Sequence, residues 1–450
     1  LEDIIWKGRI ILKDASCKVA NLPERIEDIN GTIRLNDHAL STSHLDVRIG
    51  RSTLTGEAAI PNWSGSAASL SLTSKEVNLG DFGLAGPAEI MALKTVRGSI
   101  LIEKDLLTVR LLSTQVHHSS LALTGKVLLT GKPQADINLN ASNLDMDDIF
   151  MLTRLNRSGY AEQPAPVLRA AIHADAGILK KVPFSKLSAG IEYHEPLLEI
   201  KALSFEAFDG KCTATVRAMF PPKGTPSYAG TVVVREMSNE KLQQALEVQQ
   251  GLISGKLAMD GFFIIHGSTT DDLIRSSNGL YHINISRGVL KKFPLLSKIF
   301  SVLNVSQLFS LQLPDMASGG MPYDEIKGTL TLRDGVIVSN DLFMHSEAMN
   351  MSFIGKTDLV NQTADMTVGV QPLQTLDRSV RHLPVVGWLL TDEQKKFISV
   401  YFSVKGPWAD ISVTPVPVKS LTSAVMGIFR NLFQLPVKLF TDTGDVIFGR

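Results

Sequence analysis

Few side chains in this 450-residue chain are placed to do chemistry, and they are scattered. His117-His118 sets two imidazoles side by side, the side chain that most often holds a transition metal, but no third ligand stands at usable spacing. The pair reads as part of a solvated strand face. The stretch LDMDDIF gathers Asp145, Asp147 and Asp148, as a calcium loop would, but lacks the glycine and closing Glu of an EF-hand. Acids at a helix start accept hydrogen bonds from its orphan N–H groups and suit its dipole, so these three read as caps. Asp271 and Asp272 in TTDDLI read the same way. IGKT, Ile354 to Thr357, ends like a phosphate loop, but Asn350 stands where the first glycine is required. Neither GxGxxG nor GxSxG occurs, and the Ser, His and Asp residues share no local signature of a triad. The expectation is a chain with no catalytic residue, cofactor or metal.

Composition narrows the class. Basic and acidic residues balance at 45 each, and the pI is near 7.3, which argues against a general nucleic-acid binder that must neutralise phosphates. Hydrophobic content of 44% supports folded structure. Cys17 and Cys212 stand far apart and form no CxxC, which excludes a zinc ribbon or thioredoxin-type site; they read as two buried thiols, with a long-range disulfide as the alternative in an oxidising compartment. No run of eighteen apolar residues offers a membrane-spanning helix. The opening LEDIIWKGRI has no initiator Met, and its alternation is already under way at Ile4, Trp6 and Ile10. It reads as part of a longer protein whose targeting segment lies elsewhere.

The elements that would position these residues are mostly strands. Four stretches begin at Gly31, Gly98, Gly190 and Gly328, alternate apolar with polar residues, turn, and run through further strands; in three of them a closing glycine follows at Gly56, Gly125 and Gly355. Period-two alternation gives one apolar and one wet face. In the first strands the apolar set is Ile33 and Leu35, Ile100 and Ile102, Ile191 and Tyr193, and Leu330 and Leu332. The turns Asn36-Asp37, Lys104-Asp105 and Asp334-Gly335 suit hairpins, so each unit predicts an antiparallel three-strand meander. Between copies, SLSLTSKEVNLGDF, ADINLNASNLDMDDIF and GTVVVREMSNEKLQQAL read as a strand, a polar turn and a short helix. Pro294 and the apolar residues Leu295, Leu296, Ile299, Phe300 and Leu303 predict a later helix, and Thr391 with Gln394 predicts a capped turn. The expected fold is mainly β: an elongated, twisted antiparallel groove of repeated meanders, short interspersed helices and a C-terminal amphipathic helix. Four segments are expected: 1–160, 161–270, 271–417 and 418–450.

The last segment stands apart. From Val418 to Leu435, Lys419, Arg430 and the small polar residues fall on one helical sector, while Leu421, Val425, Ile428, Phe429, Leu432 and Phe433 fill the wide remainder, broken only by Thr422. That distribution predicts a helix lying in a membrane interface with Lys419 and Arg430 at the headgroups; a helix packed on the sheet is the alternative. Pro436 would end it, and Val437, Leu439 and Phe440 would add a second apolar contact.

Over about residues 280–417 the chain resembles the C-terminal region of AsmA-like proteins, the bacterial envelope family with YhdP and TamB relatives. The matching pieces are Pro322-Tyr323-Asp324 with Ile326 and Gly328, Asp334-Gly335, Pro384 to Gly387, and Gly406-Pro407; Asp410-Ile411 departs from the Asp-Pro often found there. The resemblance implies a long β-groove with a hydrophobic inner face, periplasmic, anchored by an N-terminal helix in the inner membrane, that conducts phospholipids towards the outer membrane. Its motifs carry no active-site residue. Strands of five or six residues would span roughly 17–20 Å, comparable with an acyl chain. Sixteen to twenty of them at ~4.8 Å would extend on the order of 80–95 Å. The expected partners are phospholipids and a membrane surface at the C-terminal end, with no nucleic acid; the apolar set named above would line the groove. The alternative is an assembly factor with the same sheet and a filled, dry core.

Overall fold

The computed structural model describes all residues except 1–6, 21, 37, 63–66, 131, 158–166, 249–251, 292–293, 303–318, 374–388, 392–397 and 435–450. Ile4, Trp6, Leu303, Pro384 to Gly387, Gln394 and everything from Leu435 onward therefore lie outside the described residues. Strands make up 68% of the described residues, far above the roughly 20–25% of an ordinary domain, as period-two patterning demands. Two compact units divide it: Leu1–Ala207 with Thr213–Pro222, and Phe208–Cys212 with Lys223–Arg450. The division falls inside the 161–270 segment.

In the first unit the strands are β1 (Lys7–Cys17), β2 (Ile26–Asn36), β3 (Ala39–Ile49), β4 (Ser52–Ile60), β5 (Ala67–Asn78), β6 (Leu84–Ala85), β7 (Ala92–Glu103), β8 (Leu106–Val116), β9 (Ser119–Leu128), β10 (Gln134–Asp145), β11 (Asn156–Arg157), β12 (Val167–Leu179), β13 (Val182–His194) and β14 (Leu197–Ala207). All but β6 and β11 pair in chain order as one sheet, while β6 and β11 pair with each other. Every pair in the sheet is antiparallel except β10 with β12. That parallel joint corrects the expectation of a purely antiparallel sheet. A parallel neighbour needs a crossover, and the chain between β10 and β12 supplies one, with helix α1 (Met146–Leu152) in it.

The main strands run 9 to 13 residues, longer than the five or six expected. Bulges let them stay paired over that length. Asp14, Asp28, Thr95 and Lys186 take positive φ, and the register shifts at each of them. The closing glycines share one role. A Cβ on Gly56, Gly125 or Gly355 would stand 2.3, 2.3 or 2.5 Å from a carbonyl oxygen of the next strand. Only glycine permits that approach.

Strand β15 (Gly210–Met219) is divided between the units. In the second unit follow β16 (Ser227–Ser238), β17 (Leu252–Ile253), β18 (Lys256–His266), β19 (Asn278–Lys291), β20 (Met321–Arg333), β21 (Val336–His345), β22 (Met349–Asp358), β23 (Thr363–Pro372), β24 (Leu389–Thr391), β25 (Ile398–Pro407) and β26 (Ser412–Pro415). The antiparallel order is β16–β18–β19–β20–β21–β22–β23–β25–β26, with β17 beside β19 and β24 beside β25. The α-helices among its described residues are α2 (Asn239–Ala245), α3 (Thr270–Arg275), α4 (Pro294–Val302) and α5 (Ser423–Gln434). The strand–cap–helix reading holds locally. Asp145 accepts from Asp147 N, Ser238 from Lys241 N, and Thr269 forms a capping box with Asp272.

Candidate functional site

Directly opposed residues share a sheet face, so the registers of the first unit can be followed strand by strand. One line runs Ile10, Ile33, Thr42, Ala58, Leu70, Ile100, Val109, Gly125, Ile137, Ala170, Ile191 and Ile200, crossing twelve strands without a charge. It crosses the parallel joint through Ile137 and Ala170 without changing face. Beside it runs Ala68, Ile102, Leu107, Val127, Ala135, Leu168, Tyr193 and Leu198. Sequence placed Ile33, Ile100 and Ile191 on separate repeats; the structure puts them in the first line. Ile102 and Tyr193 fall in the second, and Leu35 opposes Leu40.

This face is apolar but not packed shut. Of the first line only Thr42 is buried, and Ile10 and Leu70 keep 46% and 37% of their surface. The opposite face is polar: on β10 exposed Asp136, Asn138 and Asn140 alternate with half-buried Ile137 and Leu139. There Lys201 lies 2.7 Å from Glu192, a hydrogen bond that holds the Glu192 carboxyl below its usual range, and Arg217 lies 2.6 Å from Glu199. One end of the apolar face is covered, where α1 brings Met146 and Ile149 onto Leu144, Ala174 and Phe184.

In the second unit an apolar face is more enclosed. Leu342, Phe353, Val368 and Phe402 oppose one another across β21, β22, β23 and β25, and the last two are fully buried. Leu295 and Leu296 of α4 line a cavity of about 320 Å³ with Ile326, Leu330, Leu342, Met344 and Phe353, and Lys356 is the one charged residue in its wall among the described residues. The expected groove residue Leu330 lines this cavity, and its neighbour Leu332 opposes Gly279 and Ile337. Lys298, on the same helix, donates to the carbonyl of Ile411 at 2.5 Å, tying α4 to the β26 edge.

Helix α5 packs on the other side of that sheet. Phe343, Ser352, Gly369 and Tyr401 form the line next to Leu342, Phe353, Val368 and Phe402, hence the opposite face. Phe429 is fully buried there, its ring 4.8 Å from Tyr401 and 6.1 Å from Phe433. Burial raises the Tyr401 hydroxyl above its ordinary pKa. Leu421, Val425 and Ile428 pack around the same cluster, and Leu432 is half-buried. This corrects the expectation for Phe429, which faces the sheet and not a membrane surface. The helix also starts later than its periodicity suggests. Val418–Ser420 is a 3₁₀ turn after Pro417, Leu421 is extended, and Thr422, the residue that broke the apolar arc, accepts from Val425 N as the cap. Lys419 and Arg430 are exposed.

One motif is explained and another changes meaning. Tyr323 is buried, and its hydroxyl donates to the Ser254 carbonyl beside Gly255 and Gly288, so Pro322-Tyr323-Asp324 is a structural lock. His117 does have a ligand partner: its Nδ1 lies 2.8 Å from Oδ1 of Asp148, which is fully buried and not a cap. Sequence spacing missed that pair because α1 brings the carboxylate back across 31 residues. Of the cysteines, Cys212 is buried, which raises its thiol pKa, but Cys17 is exposed, and neither is in a disulfide.

A family model described as YhdP protein matches residues 106–413, about two-thirds of the chain. No curated protein and no solved structure gives a significant match.

Proposed function

Because the chain belongs to the YhdP family, a non-enzymatic envelope family of the AsmA-like type, we propose that its open apolar face conducts phospholipids across the periplasm between the inner and outer membranes. The observation that carries this reading is the uncharged line from Ile10 to Ile200, half-exposed on a face whose reverse is polar. Acyl chains are the ligand such a surface accepts. Covering it removes apolar area from water at roughly 25 cal/mol per Å², while headgroups stay at the solvent edge. The enclosed face of the second unit favours the assembly-factor reading there, since Val368 and Phe402 are already dry.

In this reading a membrane surface meets the C-terminal end through exposed Lys419 and Arg430. Each cation near anionic lipid contributes on the order of 1 kcal/mol. Native mass spectrometry with lipid extraction on the mildly purified chain tests the proposal. Bound phospholipid, lost in a folded Ile137→Asp variant, supports conduction along the first unit's face. A lipid-free wild type overturns it and leaves the assembly role.

A further inference from the structure

We propose that His117, His118 and Asp148, oriented by Asp145, form a binding site for a divalent transition metal, Zn²⁺ by the chemistry of its donors, at the β8–β9 turn. Their ligand atoms all lie within 4.8 Å of one another. Two imidazoles and a carboxylate are the donor set of many zinc centres.

An internal comparison separates this site from the scaffold beneath it. The β3–β4 turn is built the same way. Asp81 Oδ2 accepts from Arg51 N and Ser52 N at 2.9 Å and from Ser52 Oγ at 2.7 Å, and Ser52 Oγ accepts from Asn78 N at 2.8 Å. In the β8–β9 turn Asp148 Oδ2 accepts from His118 N at 3.0 Å and Ser119 Oγ at 2.7 Å, and Ser119 Oγ accepts from Asp145 N at 3.0 Å. The clamp uses one carboxylate oxygen in both turns and needs no histidine in either. Gly50 and Arg51 stand where His117 and His118 stand.

His117 occupies the left-handed conformation, φ 47°, that Gly50 holds at 56° in the sister turn. A side chain there is costly unless it gains a partner. What it gains is Asp148 Oδ1, the oxygen the clamp leaves free. The His118 ring lies against that of His117, centroids 3.6 Å apart, and its Nδ1 is 3.4 Å from Asp145 Oδ2. Asp145 spends its other oxygen on the helix cap. A carboxylate behind a ligating imidazole fixes ring and tautomer, the usual outer-shell arrangement. His118 then offers Nε2 to the ion, and the metal replaces the proton between His117 Nδ1 and Asp148 Oδ1, releasing it to solvent. Bonds of roughly 2.0–2.2 Å to one ion draw these three ligand atoms closer together.

The test is titration of the purified, metal-stripped chain with Zn²⁺ by calorimetry and with Co²⁺ by visible absorption. One equivalent bound, with the intense bands of tetrahedral Co²⁺, is expected. His117→Gly with His118→Arg rebuilds the sister turn, so it should fold and lose both signals; His118→Ala, which removes only an exposed ring, should lose them as well. Asp145→Asn should weaken binding about 10–100-fold. Absence of heat and bands in the wild type, or their survival in the folded double variant or in His118→Ala, overturns the proposal and leaves a hydrogen-bonded turn.

Discussion

Buried carboxylates that clamp turns are costly side chains to lose. Asp81 accepts three hydrogen bonds, two of them from backbone N–H groups, so Asp81→Ala should lower stability by about 2–4 kcal/mol in urea unfolding. Asp147→Ala, at an exposed position, should cost under about 0.5 kcal/mol. Half-buried Asp358 gives a pH prediction. Its carboxylate accepts from Asn361 N and Nδ2 and from Val360 N, which lowers its pKa below the ordinary 3.8. A depressed folded pKa means the contribution is complete above 3.8 and is lost as pH falls through the lower folded value. Urea midpoints measured from pH 6 downwards should therefore drop less in Asp358→Asn than in wild type. The caps at Asp145 and Asp272 were legible in the sequence because capping is local, although the N-cap residue of the second helix is Thr269, with Asp272 as its capping-box partner. The clamps were not, since Ser52 and Asp81 stand 29 residues apart and nothing local marks the pair.

Strands were legible from alternation and helices from spacing, and the places where elements differ from expectation have tertiary causes. The parallel joint depends on where the chain returns after α1, and the bulges depend on both strands of a pair. The apolar arc on α5 was visible, but an arc alone does not say whether lipid or a sheet lies against it. Gly369 helps decide. A Cβ there would sit 2.8 Å from the Phe429 ring, so the sheet carries a glycine where the helix presses down. Gly369→Ala should displace α5 at a cost of about 1–3 kcal/mol, seen as earlier proteolytic release of the C-terminal segment. Unchanged release would mean that the helix does not depend on this seat.

Within the first unit, twelve strands at ~4.8 Å carry the apolar line over on the order of 50–55 Å. The sequence showed which residues would share a face, because Ile33, Ile100 and Ile191 each head an alternating strand. It did not show which stretch of that face would stay open. Openness depends on what packs on top: α1 covers one end of the first unit's apolar face, and in the second unit α4 lies over an apolar face. Photo-crosslinking inside phospholipid-containing envelopes probes the open face most directly, with a photoreactive residue placed singly at Ile100, Ile137 or Ile191 and, on the reverse face, at Ser99, Asn138 or Glu192. The account predicts phospholipid adducts at the first three positions and none at the second three. Adducts on both faces, or on neither, would contradict it.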